Sequence, residues 1–431
     1  MSSSGNSQSQ ALPYVIWLSL LLFFIYQFIA RSVFPTIFLE KYMQYFSIDA
    51  GQCGILGSSY YIAYTIAQIP AGIIVDRYNI RYTATIAIAL CAIGLALFVS
   101  TTNFHLACLG QMIVGLTSAF AFIATVKTVT EWFPLEKRAM MTSCTISIGC
   151  MGPVIFGPSV AHIAENFYWK NVILIFAGFG LILAVAAWCV VRSRKDHTDA
   201  RDTEPKEHVP ISTIVKTLTT SPQIWILSLL TLAQYAPLSA LGDMWGAVFI
   251  KTAYNVSYTE ASAANNMLYA GMIVGPLAFA YIATRLGSYK KAIILGIVMC
   301  TLSFSAIEFC SNLRLEAVFA LLLVVGFSAG AMLAYQLGTI MYPNYMAGIV
   351  VSIINMASMI SGIILMPMVG ALMKLSWNGA MENGLEIYSA ADYRCGFLSV
   401  LVSLAIGTVL AFFVKDHRPE IDGKVSELSK K

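Results

Sequence analysis

Three charged residues, Arg31, Lys127 and Asp243, fall inside long apolar stretches, where their side chains offer chemistry that their neighbours lack. A charge inside a membrane-spanning helix costs about 2.5–3.5 kcal/mol on insertion scales, so such residues face a cavity or a partner. The Arg31 guanidinium is a planar fork of donors suited to a carboxylate or a phosphate. A structural ion pair, or a snorkelling position at the interface, is the alternative. Asp243 lies late in the seventh apolar stretch, and aligning the two halves of the sequence places it on Pro35, one turn from Arg31. The expectation is that Arg31 and Asp243 face each other across two halves. They would hold the acid and amine ends of a zwitterion, or pair as an outer gate when the site is empty. A helix-capping role for Asp243 is the competing reading. Lys127 stands one turn before Glu131, which suits a local ion pair, a second anion contact or part of an inner gate.

Uncharged polar groups fill out an expected pocket: Tyr26 and Gln27 in the first stretch, Tyr60, Tyr61 and Tyr64 in the second, Gln234 and Tyr235 in the seventh, Tyr269 in the eighth, Tyr335 and Gln336 in the tenth, and Asn355 in the eleventh. In the aligned halves Gln27 meets Tyr235. Tyrosine gives an apolar wall with one polar tip, although interfacial belts use it too. Glu308, His105 and His162 lie near stretch ends, poorly placed for a proton relay through the membrane centre.

The elements that must position these groups are membrane helices. The chain has 431 residues, 58% hydrophobic and 11% charged, whereas a soluble domain carries about 25% charged residues. Runs of the roughly 20 apolar residues needed to span a bilayer recur throughout. The reading is an all-α membrane protein with twelve transmembrane helices, near 12–37, 52–75, 82–101, 105–128, 140–164, 170–192, 223–251, 260–283, 290–310, 315–341, 346–373 and 394–414. They fall into a six-helix bundle over 1–192, a charged linker over 193–222 and a second six-helix bundle with a tail over 223–431. The first ten residues lack the basic region of a cleavable signal, so the first run is expected to remain as an anchor.

Basic residues set the orientation. With the N-terminus in the cytoplasm, Arg77, Arg81, Lys137, Arg138, the linker bases, Arg285, Lys290, Lys291 and the tail lysines share that side. Lys41, Lys170, Lys251, Arg314, Lys374 and Arg394 face the other. Both termini are therefore expected in the cytoplasm, in a cell (inner) membrane. The net charge of +4 gives no reason to expect nucleic acid. The nine cysteines lack metal-ligand spacing and read as small core residues. No metal or other cofactor is expected, and no nucleophile or His/Cys constellation supports an enzyme.

Between the second and third stretches lies Gly72-Ile73-Ile74-Val75-Asp76-Arg77-Tyr78-Asn79-Ile80-Arg81. An Asp-Arg pair here can cap helix ends and clamp a neighbouring helix. This turn resembles the helix 2–3 loop of the major facilitator superfamily. Gly72, Asp76, Arg77 and Arg81 are kept, while Asn79 and Ile80 stand where the family has glycine and arginine. The second half repeats the position as Thr284-Arg285-Leu286-Gly287-Ser288-Tyr289-Lys290-Lys291, without the acid. Gly149-Cys150-Met151-Gly152-Pro153-Val154-Ile155-Phe156-Gly157-Pro158 resembles the family's helix-5 glycine-proline motif, a flexible element between the halves or a site of tight packing. Gln111 stands where many proton-coupled relatives have arginine. Glu131 to Arg138 matches the usual loop before helix 5. Arg31 with Pro35, Gln68-Ile69-Pro70, Lys127 and the run Tyr388 to Tyr393 resemble a prokaryotic branch similar to the lysosomal dipeptide transporter group.

The resemblance implies two pseudo-symmetric bundles that close alternately around a midplane pocket. Gly72, Asp76, Arg77, Arg81, Gly152, Pro153 and Arg285 would then serve gating. The expected function is secondary active (symport) or facilitative transport of a small polar solute bearing a carboxylate, such as an amino acid, a short peptide or an organic acid, by a monomer in the lipid bilayer. Efflux of a drug-like or siderophore-like metabolite is the alternative. A coupling proton would pass through Asp243 and Glu131, although the missing helix-4 arginine leaves uniport open.

Overall fold

The computed structural model describes residues 5–192, 211–310, 313–329, 333–343, 346–382 and 385–416. Twelve long helices run in chain order: α1 (Ala11–Phe46), α2 (Ala50–Arg77), α3 (Ile80–Ser100), α4 (Phe104–Trp132), α5 (Leu135–Asn166), α6 (Trp169–Val190), α7 (Pro222–Tyr254), α8 (Tyr258–Leu286), α9 (Tyr289–Phe309), α10 (Leu315–Met341), α11 (Ala347–Ser376) and α12 (Ala390–Ala411). In α10 the described parts are Leu315–Ala329 and Leu333–Met341. Eleven of these helices are long and apolar enough to cross a membrane. The other, α2, has 28 residues, and its apolar run is diluted by Ser58, Ser59, Tyr60, Tyr61, Tyr64 and Gln68. Among the described residues the strands are Met381–Glu382 and Leu385–Glu386, paired antiparallel between α11 and α12. Of the expected linker, 193–210 lies outside the described residues, as does the tail beyond 416. A short helix, Ile211–Thr220, leads into α7.

Helices α1–α6 pack among themselves, as do α7–α12. Within the halves α2 packs on α4, as α8 packs on α10, and α3 on α6, as α9 on α12. Between the halves α2 packs on α11, as α8 packs on α5, and α1 meets α7. Each contact thus has its counterpart on exchange of the halves, the arrangement expected of two pseudo-symmetric bundles.

Several helix boundaries differ from the apolar runs. The first helix continues to Phe46, past Glu40, Lys41 and Gln44, because helical hydrogen bonding does not stop where the apolar residues do. It ends where Ser47 turns left-handed at φ 52°. A capping box of Asp49 and Gln52 starts α2, and one of Ser389 and Asp392 starts α12 before its apolar run. The polar segment after Lys374 is therefore shorter than expected, since α11 runs through Lys374 to Ser376.

Two helices widen where the charges sit. α1 takes a π-helical turn at Ile29–Val33 and α7 at Leu238–Trp245. Pro35 has no N–H to return to the Arg31 carbonyl, and Pro237 none for Ala233, so α-helical pairing fails at both places. The Phe34 N–H reaches back to the Ile29 carbonyl and the Gly246 N–H to that of Leu241, each a five-residue step. Such bulges cluster at functional sites.

One end of the molecule, carrying the α1–α2, α7–α8 and α11–α12 connections, is sealed by close contact between the halves. A Cβ on Gly54 would lie 2.5 Å from the Met366 carbonyl oxygen, and one on Gly370 would strike the Ala50 carbonyl. Only glycine lets α2 and α11 approach so closely. At the opposite end, which carries Ile211–Thr220, the inward-facing Tyr64, Gln68, Tyr235, Tyr335 and Asn355 are half-buried.

Candidate functional site

Arg31 and Asp243 meet between the halves. Arg31 Nε lies 3.6 Å from Asp243 Oδ1, with side-chain exposures of 5% and 0%. The guanidinium also lies over the Phe28 ring, 4.4 Å from its centroid. Each Asp243 oxygen accepts one further hydrogen: Tyr269 of α8 donates to Oδ1 and Tyr61 of α2 to Oδ2. The carboxylate of one half is thus bound by a tyrosine and an arginine of the other and by a tyrosine of its own. Arg31 Nε and one terminal nitrogen are buried without a hydrogen-bond acceptor among the described residues. Buried donors of this kind are costly unless something accepts from them.

Other expected residues surround this centre. Tyr60 donates to Gln27 Oε1 at 3.0 Å and stacks on Tyr64. Gln234 is buried, and its Nε2 has no hydrogen-bond partner among the described residues. A narrow cleft beside the pair, lined by Arg31, Pro35, Tyr42, Cys53, Gly57, Tyr60, Tyr61, Gln111, Asp243, Met244 and Met366, points to the sealed end. Toward the other end, Tyr335 donates to Asn355 Oδ1 at 3.3 Å, and Asn355 Nδ2 donates to Gln68 Oε1 at 2.9 Å.

Two expected pocket residues lie elsewhere. Tyr26 is stacked on Phe176 of α6 at 4.4 Å and pressed against Gly180, so it fills the first half rather than the space between halves. Its place on the helix opposite the Arg31 face explains this. Lys127 donates to the Val75 carbonyl at the end of α2 and lies 3.7 Å from Glu131 Oε1. It belongs to the α2–α4 contact, away from Arg31.

The gating residues divide similarly. Asp76 and Arg77 are exposed and form no hydrogen bond or ion pair among the described residues, so the expected clamp is not made by that pair. Arg81 makes it instead, donating from Nε to the Trp188 carbonyl at 2.5 Å and lying over the Trp188 ring. The corresponding joint in the second half uses Lys290, which donates to the Phe412 carbonyl, and Ser288, which donates to Asp416. Arg285 meets only Tyr281 of its own helix among the described residues. Gly72 has open space where a side chain would stand. Gly152 faces Ile25 of α1, and the Pro153 carbonyl accepts from Asn266 of α8 at 2.8 Å.

A polar seal at the first end was not foreseen from the sequence. Lys251 of α7 lies 2.8 Å from Glu40 of α1, which also accepts from Tyr258 at 2.5 Å. Lys374 pairs with Asp49 across the halves and lies 3.6 Å from Glu386. The Ala50 N–H donates to the Tyr388 oxygen at 3.3 Å, and Tyr388 donates to Glu386. Partial burial pushes the Asp49 carboxyl up, but hydrogen bonds from Lys374 and from the Gln52 and Gly51 N–H groups outweigh it and hold it below the usual value. Lys251 and Lys374 entered the sequence reading only as topology markers. Glu40 and Asp49, their partners in the other half, lie far away in the chain, and nothing in local spacing signals the pairing.

The family model for the Major Facilitator Superfamily matches residues 16–366. An uncharacterised transporter of Bacillus subtilis, YybO, is 22% identical over 76% of this chain and 80% of its own length. A probable galactarate/D-glucarate transporter of Escherichia coli, GudP, is 22% identical over 82% of this chain and 85% of its own. Among solved structures, a bacterial homologue of the human lysosomal transporter Spinster, inward-facing and unoccupied, superposes with a TM-score of 0.76 at 18% identity, over 94% of this chain and 97% of that one.

Proposed function

The chain belongs to the major facilitator superfamily, and from that premise we propose that it carries a small organic acid across the membrane by alternating access, with Arg31 as the carboxylate anchor. It is a multi-pass membrane transporter, not an enzyme. The observation that carries the substrate reading is the Arg31 guanidinium: buried between the halves, 3.6 Å from Asp243, with two donor nitrogens that find no acceptor among the described residues. A carboxylate satisfies that fork with two parallel hydrogen bonds. The similarity to a probable galactarate/D-glucarate transporter, whose named solutes are both sugar acids, favours an organic acid over an amino acid or peptide.

Asp243 competes with the solute for Arg31. A proton on Asp243 weakens its hold on the guanidinium and frees the fork for the incoming anion, which supports proton-coupled symport. Both termini are assigned to the cytoplasm of a cell membrane by the positions of the basic residues. The sealed end then faces outward and the pocket opens inward. Residues 1–192 and 223–431 move as the two rocking units.

The test is uptake of labelled hexuronate, hexonate and hexarate into proteoliposomes, with and without an inward proton gradient. The expected result is saturable uptake of at least one acid, lost in Arg31→Ala. Uptake undiminished in Arg31→Ala, or confined to uncharged solutes, overturns the reading.

A further inference from the structure

α8 breaks at two consecutive asparagines, between Tyr258–Asn265 and Met267–Leu286. Both side chains are buried, with 1% and 4% exposure. They point to different helices. Asn265 Nδ2 donates at 3.2 Å to the Gly242 carbonyl, in the π turn of α7 and next to Asp243. Asn266 Nδ2 crosses to the other half and donates at 2.8 Å to the Pro153 carbonyl of α5. Tyr269, one turn further along α8, donates to Asp243 itself. Two glycines make room for the amides: a side chain on Gly246 would strike the Asn265 oxygen, and one on Gly157 would strike the Asn266 nitrogen.

We propose that Asn265 and Asn266 are positioning residues that link closure of the α5–α8 contact to the placement of Asp243; the proposal rests on the transport reading above. A π turn leaves backbone carbonyls without their usual α-helical donors, and Asn265 supplies one beside the carboxylate-bearing residue. Asn266 supplies the same kind of bond to the opposite half. The two amides are adjacent in the chain, so moving α5 away from α8 pulls on the α8 break and through it on Gly242 and Tyr269. Asp243 is therefore held against Arg31 only while α5 and α8 touch. Separation of the halves at the sealed end and release of the buried pair become one event.

The test uses the full chain in nanodiscs, with Cys189 and Cys310 replaced by serine and spin labels at Phe167→Cys and Phe309→Cys, one in each half. The distance distribution reports separation at the sealed end without any solute, so it decides this proposal even if no acid proves to be carried. Asn265→Leu and Asn266→Leu are each expected to raise the separated population at least twofold. The double variant should do no more than the larger single one, as for two parts of one linkage. Where the leucine variants fail to fold, Gly246→Ala and Gly157→Ala crowd the same amides and should give the same shift. In uptake assays on a carried acid, Asn266→Leu should lower turnover fivefold or more with KM within twofold of wild type, and Asn265→Leu should lower KM, because a loosened Asp243 competes less for Arg31. A wild-type distance distribution in either single variant, or effects that simply add, overturns the proposal.

Discussion

Gln68 of α2 and Asn355 of α11 meet only through their side-chain amides, at 2.9 Å, although the same two helices touch backbone to backbone at Gly54 and Met366. The pair therefore splays from the sealed end toward the linker end, and the amide bridge limits how far. Gln68→Ala deletes that one hydrogen bond, worth about 1 kcal/mol, and Asn355→Ala deletes it together with the one from Tyr335. The expected outcome is a small fall in melting temperature and a wider separation of labels at the linker end. An unchanged separation shows that the bridge does not restrain the splay.

The sealed end of the same pair gives a sharper expectation. An alanine at Gly54 or Gly370 cannot be accommodated without moving α2 from α11. Cys53 is 1% exposed beside this contact. Gly54→Ala and Gly370→Ala should expose Cys53 to a membrane-impermeant maleimide applied on the side of the sealed end, with a labelling rate at least tenfold above wild type. Labelling at the wild-type rate argues that the seal has other supports.

For the buried pair, single and double removal should diverge. Taking away one partner leaves an uncompensated buried charge, at a cost of about 3–5 kcal/mol. Arg31→Met and Asp243→Leu should each lower thermal stability sharply and abolish uptake. The double variant should recover much of the stability and none of the uptake. A double variant as unstable as either single one would show that the tyrosine hydroxyls left behind, rather than the charges, set the cost.

Acid should loosen the seal. The Asp49 carboxyl is held below its ordinary value of 3.8, chiefly by Lys374 and the first N–H groups of α2 against the opposing effect of burial. A group with a depressed value stabilises the sealed state above the ordinary value and loses that contribution as pH falls through the depressed one. Label separation at the sealed end should be flat from neutral pH to about pH 4 and rise below it. Asp49→Asn should remove the added rise. Removing Lys374 should give the separation at neutral pH.

Much of the architecture is legible in the apolar runs, because each helix must satisfy its own backbone in lipid and so leaves a continuous signature. Arg31 and Asp243 are legible for the same reason: a charge in such a run stands out. Tyr26 is not separable from Tyr61 by type, because both are tyrosines in apolar helices, and only the helix face decides which one reaches Asp243. Lys127 stands out as a charge, but its acceptor is the Val75 carbonyl, and a backbone atom carries no sequence signal. No charge or spacing singles out Asn265 and Asn266, and their partners are the carbonyls of Gly242 and Pro153, equally silent in the sequence.

The π turns in α1 and α7 have a consequence for anyone drawing these helices on a wheel. Each α-helical residue advances the wheel by about 100°, so a widened turn slips the phase of everything beyond it. Positions of α1 after Val33 and of α7 after Trp245 therefore present different faces from those an unbroken wheel assigns. A cysteine scan along either helix should show two periodic patterns offset at those residues, and a scan fitted with one uninterrupted period will mislabel lipid-facing and pore-facing sites beyond each bulge.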